Sequence, residues 1–140
     1  MKRRKFFTRT GIGIMSIGAA TPLFAATLVD SSVKEGNNQL KRDEIQHMVI
    51  FNLNHEKGSP QAEKFLKDGQ QTLSHIPVVQ NFQVFSQVSA KNDYDYGFSM
   101  VFANKQDYNT YNNHPDHIAF VENRWKKEVA RFLEIDFSTH

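Results

Sequence analysis

The stretch Gln46–Leu53 reads QHMVIFNL, a nearly continuous apolar run of strand length that is rich in β-forming residues. Alternation along a strand divides these side chains between two faces: His47, Val49, Phe51 and Leu53 share one face, and Met48 and Ile50 share the other. A strand with apolar residues on both faces is covered from both sides. The sequence therefore predicts a buried strand with protein packed against each of its faces.

The residues that follow this strand predict a helix and then a β-hairpin. Ser59 has the position of a helix cap and Pro60 that of a first helical residue, so a helix is expected from Pro60 to the stop at Ile76-Pro77. Val79–Val88 alternates as a strand does, and Tyr94–Phe102 resumes the pattern after a short run of turn residues. These two segments are predicted to pair as an antiparallel hairpin.

The last third of the chain predicts a second helical region and a final strand. Asn104 caps a helix that begins near Lys105, and His114-Pro115 interrupts it before a further helix starts at Pro115. Val129–Phe137 is the last predicted strand. The order β-α-β-β-α-β predicts an α+β, ferredoxin-like fold, with a four-stranded antiparallel sheet and two helices on one face.

Two helices cover only one face of such a sheet, yet Met48 and Ile50 place apolar side chains on the other face. A second copy of the chain, packed sheet against sheet across a two-fold axis, would cover that face and close a barrel. We therefore predict a homodimer of the dimeric α/β-barrel type.

Residues 1–26 have the pattern of an export signal. A basic start leads into the mildly apolar stretch 11–26, which at about 16 residues is shorter than the roughly 20 that span a bilayer as a helix. The pair Arg3-Arg4, followed by Lys5-Phe6-Phe7, resembles a twin-arginine signal. An ordinary secretory signal or an uncleaved anchor is the alternative interpretation. The sequence thus predicts an exported, periplasmic protein with no stable membrane span once the signal is removed. Residues 27–44 are polar and predict a flexible linker before a single domain over 45–140.

Composition and charge exclude several classes of function. Five of the 17 basic residues lie within the predicted signal, which leaves 12 against 15 acidic residues and a net charge of −3 for the remainder. Such a slightly acidic chain is not expected to bind nucleic acid through phosphate contacts. The absence of cysteine excludes disulfides, thiol catalysis and thiolate metal sites.

Polar side chains that can carry chemistry gather around one proline. Tyr111, His114 and His117 lie within seven residues, and Pro115 fixes the backbone at a helix start between the two histidines. Together with His47 they predict the polar end of a small-molecule pocket with apolar walls. The predicted ligand-binding residues are Val49, Phe51, Phe65, Phe98, His114 and Phe120.

Three of these segments resemble the stress-responsive dimeric α/β-barrel (Dabb) family: the first strand from His47 to Phe51, the element His114-Pro115-Asp116-His117, and the closing Ile135-Asp136-Phe137. The resemblance extends over residues 46–137. It implies a stress-response A/B barrel domain that forms a homodimer and binds a small molecule.

The resemblance also implies a specific chemistry. The plant olivetolic acid cyclase, a member of this family, catalyses an intramolecular aldol condensation without a cofactor. Its working groups fall by motif position on His47, Tyr111 and His117, which are the catalytic residues that the resemblance implies here. Neutral imidazoles can remove a proton next to a carbonyl, and a phenol can stabilise the resulting enolate. Asp136 is a candidate for orienting one imidazole.

Two further hypotheses remain open beside a cofactor-independent cyclase or lyase that acts on a small, partly apolar carbonyl compound. A non-catalytic, stress-related protein that stores an apolar ligand would use the same pocket. A haem or metal site would require that His47, His114 and His117 converge. No carboxylate or thiolate accompanies these histidines at a diagnostic spacing, so neither a metal nor a cofactor is predicted.

Overall fold

The computed structural model describes residues 39–140. The predicted signal peptide at 1–26 and the linker residues 27–38 lie outside the described residues. Within the described range, no helix combines the length and apolar character that crossing a bilayer requires.

One four-stranded antiparallel sheet forms the centre of the domain. Its strands are β1 (Ile45–Leu53), β2 (Gln80–Ser86), β3 (Tyr96–Phe102) and β4 (Val129–Ser138), in the spatial order β2-β3-β1-β4. The strand predicted to be buried, β1, pairs with β3 on one side and with β4 on the other. This topology confirms the predicted ferredoxin-like fold.

Helices pack against one face of this sheet. They are α1 (Pro60–Ser74), α2 (Lys105–Asn112) and α3 (Pro115–Phe120), the last of which continues through a π-helical turn (Val121–Trp125) into the short α4 (Lys126–Glu128). The two predicted caps are confirmed, because the side chains of Ser59 and Asn104 accept hydrogen bonds from backbone N–H groups in the first turns of α1 and α2. The predicted break at Pro115 is confirmed as well, since α3 begins there.

Aromatic side chains fill the space between the sheet and the helices. The rings of Phe51 and Phe98 are 4.9 Å apart, and Phe65 stacks nearly parallel to Phe98. A Cβ atom at Gly69 of α1 would lie 2.8 Å from the Phe98 ring, so only glycine permits this approach of the helix to the sheet. The core is therefore tightly packed directly behind the site described below.

The opposite face of the sheet, here called the open face, is apolar and uncovered in the monomer. Cross-strand register places these side chains on it: Met48, Ile50, Phe85, Leu133, Ile135 and Phe137. Leu133 and Phe137 are 47% and 50% exposed. The predicted division of β1 into two apolar faces is confirmed.

The hairpin strands are shorter than predicted. β2 ends at Ser86 and β3 begins at Tyr96, although alternation in the sequence continues to Val88 and resumes at Tyr94. The side-chain amide of Gln87 donates hydrogen bonds to the backbone carbonyls of Asn92 and Tyr94. This side chain occupies backbone groups that would otherwise extend the ladder.

Candidate functional site

A cavity of about 310 Å³ lies between the sheet and the helical segment that begins at α2. The residues that line it are His47, Val49, Leu73, Phe98, Met100, Tyr111, Asn112, His117, Phe120, Val121, Trp125, Lys126, Phe132 and Glu134. The predicted catalytic residues His47, Tyr111 and His117 therefore line one shared cavity. A volume of this size suits a small organic molecule.

The polar end of the cavity is built on a cross-strand pair. His47 on β1 and Asp136 on β4 are direct partners, and His47 Nδ1 lies 2.7 Å from Asp136 Oδ1. This contact confirms the expectation that Asp136 orients an imidazole. An ionised carboxylate can only accept, so a neutral His47 donates from Nδ1 and carries its lone pair on Nε2.

Tyr108 on α2 lies within hydrogen-bond distance of two carboxylates of β4. Its hydroxyl lies 3.1 Å from Oε1 of Glu134 and 3.1 Å from Oδ2 of Asp136, and can donate to one of them at a time. Burial raises the pKa of Tyr108, and the charges of Asp136 and Glu134 raise it further. Tyr108 therefore remains a neutral hydrogen-bond donor that holds the carboxylates beside His47.

Tyr111 presents a protonated phenol to the cavity. Its side chain is almost fully buried, and burial raises its pKa, with the negative charge of Glu134 acting in the same direction. Because Tyr111 lines the cavity, its hydroxyl can donate a hydrogen bond to a bound molecule.

His117 on α3 contributes a neutral imidazole. Its Nδ1 lies 3.2 Å from the Asn112 carbonyl oxygen, which accepts a hydrogen bond from the Nδ1–H group. The lone pair of the neutral ring is therefore on Nε2. Partial burial lowers the pKa of His117, and the neighbouring His47 also lowers it. The His117 ring lies 4.2 Å from the Tyr111 ring, measured between centroids. A base and an acid are thus adjacent in the cavity.

Most of the remaining wall is apolar, and four of its side chains are aromatic. Val49, Phe98 and Phe120, three of the predicted ligand-binding residues, line the cavity. Trp125 and Phe132 also line it and contact one another edge to face, with ring centroids 5.6 Å apart. Trp125, the last residue of the π-helical turn, also contacts the ring of Phe51 on β1. A partly apolar ligand would be in contact with rings on several sides.

Three predicted ligand-binding residues lie elsewhere in the structure. Phe51 and Phe65 are fully buried in the core behind the cavity wall. His114 does not line the cavity; its Nδ1 accepts a hydrogen bond from the Asp116 N–H and caps α3. A residue directly before a proline at a helix start takes the capping position, which accounts for the location of His114.

The predicted set lacks Glu134 and Tyr108, which complete the polar end. Glu134 carried a detectable signal, because residues 134 and 136 fall on the same face of any strand over 129–137. Tyr108 lies three residues before Tyr111, on the same face of a helix. Neither spacing assigns Glu134 or Tyr108 to the site unless the register of β4 against β1 is also known.

The described residues contain one group that could hold a metal ion, namely His47, Glu134 and Asp136, whose ligand atoms all lie within 4.8 Å of one another. The trio of histidines considered from the sequence is not such a group in this part of the chain, since His114 lies outside the cavity. In the structure His47 Nδ1 is engaged by Asp136, the geometry of an oriented imidazole.

Comparisons with known proteins identify the fold and its relatives. The family model for the stress-responsive A/B barrel domain matches residues 45–139. A crystal structure of a Dabb family protein with a ferredoxin-like fold from Mesorhizobium loti is 46% identical, covers 69% of this chain and 97% of that protein, and superposes with a TM-score of 0.68. A search of curated proteins found no match.

Two more distant structures share the fold alone. A dimeric ferredoxin-like protein of unknown function from Thermobifida fusca is 20% identical, with 74% of this chain and 97% of that protein covered and a TM-score of 0.60. A hydroxynitrile lyase from Passiflora edulis is 8% identical, with 71% and 96% covered and a TM-score of 0.62.

Proposed function

The chain belongs to the stress-responsive A/B barrel (Dabb) family, and from this premise we propose that it binds a small, partly apolar carbonyl compound and transfers protons on it without a cofactor. One observation carries the proposal: His47, Tyr111 and His117 line the same cavity, most of whose remaining wall is apolar. The hydroxynitrile lyase of Passiflora edulis is a precedent for enzymatic activity on this fold.

The proposed reaction begins with a proton next to the ligand carbonyl. His117 Nε2 accepts this proton, the C–H bond breaks, and its electron pair moves onto the carbonyl oxygen to give an enolate. The Tyr111 hydroxyl donates a hydrogen bond to that oxygen. His47, oriented by Asp136, acts as a second proton acceptor or donor at the same end. Return of a proton to carbon completes an exchange or an isomerisation. Where the enolate carbon instead bonds to a second carbonyl carbon, the π bond of that carbonyl breaks and the proton goes to the alkoxide oxygen formed there.

Deuterium exchange tests this chemistry without knowledge of the natural substrate. Phenylacetone, incubated with the protein in D₂O, is expected to exchange its benzylic protons faster than in buffer, as measured by ¹H NMR. His117→Ala and Tyr111→Phe should each remove the acceleration, while His75→Ala, at the exposed end of α1, should keep it. Equal acceleration by all four proteins would contradict the proposal.

A second candidate function is storage of an apolar ligand without turnover. Most of the cavity surface is apolar, which favours storage of an apolar ligand. Saturable binding of phenylacetone by a protein that does not accelerate exchange would support storage over catalysis.

We also propose that the protein functions as a homodimer through the open face. Its apolar side chains, which include Ile50, Leu133 and Phe137, form a continuous patch of the kind that soluble proteins cover. The related fold from Thermobifida fusca is described as dimeric.

Export remains a proposal that rests on the sequence alone. The Arg3-Arg4 pair supports passage through the twin-arginine route. Replacement of both residues by lysine is expected to retain the protein in the cytoplasm of a bacterial host, as measured by fractionation. Unchanged export of this variant would contradict the twin-arginine route.

A further inference from the structure

We propose that Glu134, which lies beside His47 and Tyr108 at the polar end of the cavity, makes the site selective for neutral ligands that carry a hydroxyl group and excludes carboxylates. This inference rests on the proposed function, because it assumes that a small carbonyl compound occupies the cavity.

The position of Glu134 places a negative charge on the cavity wall. Its side chain is about half exposed, and one oxygen lies 4.0 Å from His47 Nδ1 while it accepts from the Tyr108 hydroxyl. A carboxylate offers roughly four acceptor positions. Tyr108 uses one of them, so Glu134 retains acceptor capacity toward a bound molecule.

The hydrogen-bonding groups at this end are mostly acceptors. His117 Nε2 and, in the neutral ring, His47 Nε2 carry lone pairs when the Nδ1 atoms donate to protein oxygens. Tyr111 supplies one hydroxyl donor, which suits the ligand carbonyl. The remaining acceptors are matched by a ligand that brings donors of its own, and a hydroxyl group is the neutral choice.

The charges around the cavity disfavour an anionic ligand. Asp136 adds a second carboxylate behind His47. Lys126 is the one lysine or arginine among the lining residues, and its ammonium group is paired with Glu122. A ligand carboxylate at this end would therefore meet negative charge without an available cation.

Three aryl ketones of similar size separate charge from shape. They are 4′-hydroxyacetophenone, unsubstituted acetophenone and 4-acetylbenzoate, each titrated into the protein by calorimetry in the presence of EDTA. The wild-type protein is expected to bind the hydroxyl compound at least about tenfold more tightly than the carboxylate, with acetophenone between them.

Removal of the charge should remove the selectivity. Glu134→Gln keeps the shape of the side chain and is expected to tighten binding of 4-acetylbenzoate by about tenfold. Glu134→Lys should reverse the preference. The matched control Glu63→Gln removes one negative charge from the exposed face of α1 and should preserve the wild-type ratio.

The possible results distinguish a failure of this inference from a failure of the proposed function. Equal affinity of the wild-type protein for the hydroxyl and carboxylate compounds, or an unchanged ratio in both Glu134 variants, would overturn the inference alone. Failure of all three ketones to bind would overturn the proposed function and the inference with it.

Discussion

His47 Nδ1 lies 2.7 Å from Asp136 Oδ1, across two neighbouring strands whose register makes these residues direct partners. The contact fixes the ring orientation and assigns the proton of the neutral imidazole to Nδ1. The lone pair on Nε2 is then available within the cavity. The sheet itself thus sets the chemical state of one of the three proposed working groups.

Asp136→Asn is expected to change the tautomer of His47. An asparagine amide can donate to Nδ1, which moves the ring proton to Nε2 and removes the lone pair from the cavity. ¹⁵N NMR of histidine-labelled protein should show the switch at His47, and phenylacetone exchange should slow by about tenfold or more. Asp116→Asn, at an acid outside the cavity, should leave the His47 signals unchanged. A wild-type spectrum for His47 in Asp136→Asn would contradict this account.

Gly69→Ala is expected to destabilise the protein, although alanine is ordinarily the better helix former. The added methyl group would meet Phe98 at 2.8 Å and Phe120 at 3.1 Å, and both rings line the cavity. We expect a loss of about 1–3 kcal/mol in the free energy of unfolding, measured with urea, together with weaker ligand binding. Gln70→Ala, exposed on the same helix, should change stability by less than about 0.5 kcal/mol. A larger free energy of unfolding for Gly69→Ala than for the wild-type protein would contradict this prediction, because it would show that Phe98 and Phe120 move to accommodate the methyl group.

Leu133→Asp is expected to convert the proposed dimer into a monomer. The substitution places a charge on the open face, beside Ile50, where pairing with another copy would bury it. Ile118→Asp is the matched control, because Ile118 on α3 is 48% exposed and Leu133 is 47% exposed. Light scattering should give half the wild-type mass for Leu133→Asp and the wild-type mass for Ile118→Asp. A monomeric wild-type protein at micromolar concentration would contradict the proposed homodimer.

The lowered pKa of His117 predicts a dependence of stability on pH. Because the folded state binds this proton less readily than the unfolded chain, stability from the neutral ring is complete above about pH 6.5 and is lost as the pH falls through the lowered native pKa. Urea unfolding between about pH 7 and pH 5 should therefore show a shallower decline for His117→Gln than for the wild-type protein. The control His140→Gln, near the exposed chain end, should keep the wild-type slope. Equal slopes of the free energy of unfolding against pH in all three proteins would contradict the lowered pKa of His117.

Much of the fold was predictable because its signals are local. The cap at Ser59, the proline at position 115 and the two-sided apolar pattern of β1 each depend on near neighbours in the chain. The hairpin ends were less predictable, since the side chain of Gln87 replaces a backbone partner and the alternating pattern does not record this.

The site was predictable where a motif marked it and less so elsewhere. His47, Tyr111 and His117 all line the cavity, whereas the role of Glu134 depends on the register of β4 against β1, a contact between distant parts of the chain. Trp125 depends on the π-helical turn, whose wider period departs from the spacing used to assign helix faces.

The most direct test of the shared cavity is a titration of histidine- and tyrosine-labelled protein with 4′-hydroxyacetophenone, followed by NMR. The account predicts saturable shifts in the side-chain signals of His47, Tyr111 and His117, with His75 and Tyr94 unchanged. Shifts confined to surface residues would show that these three groups do not form one binding site. The absence of any shift at ketone concentrations that saturate the protein in calorimetry would show the same.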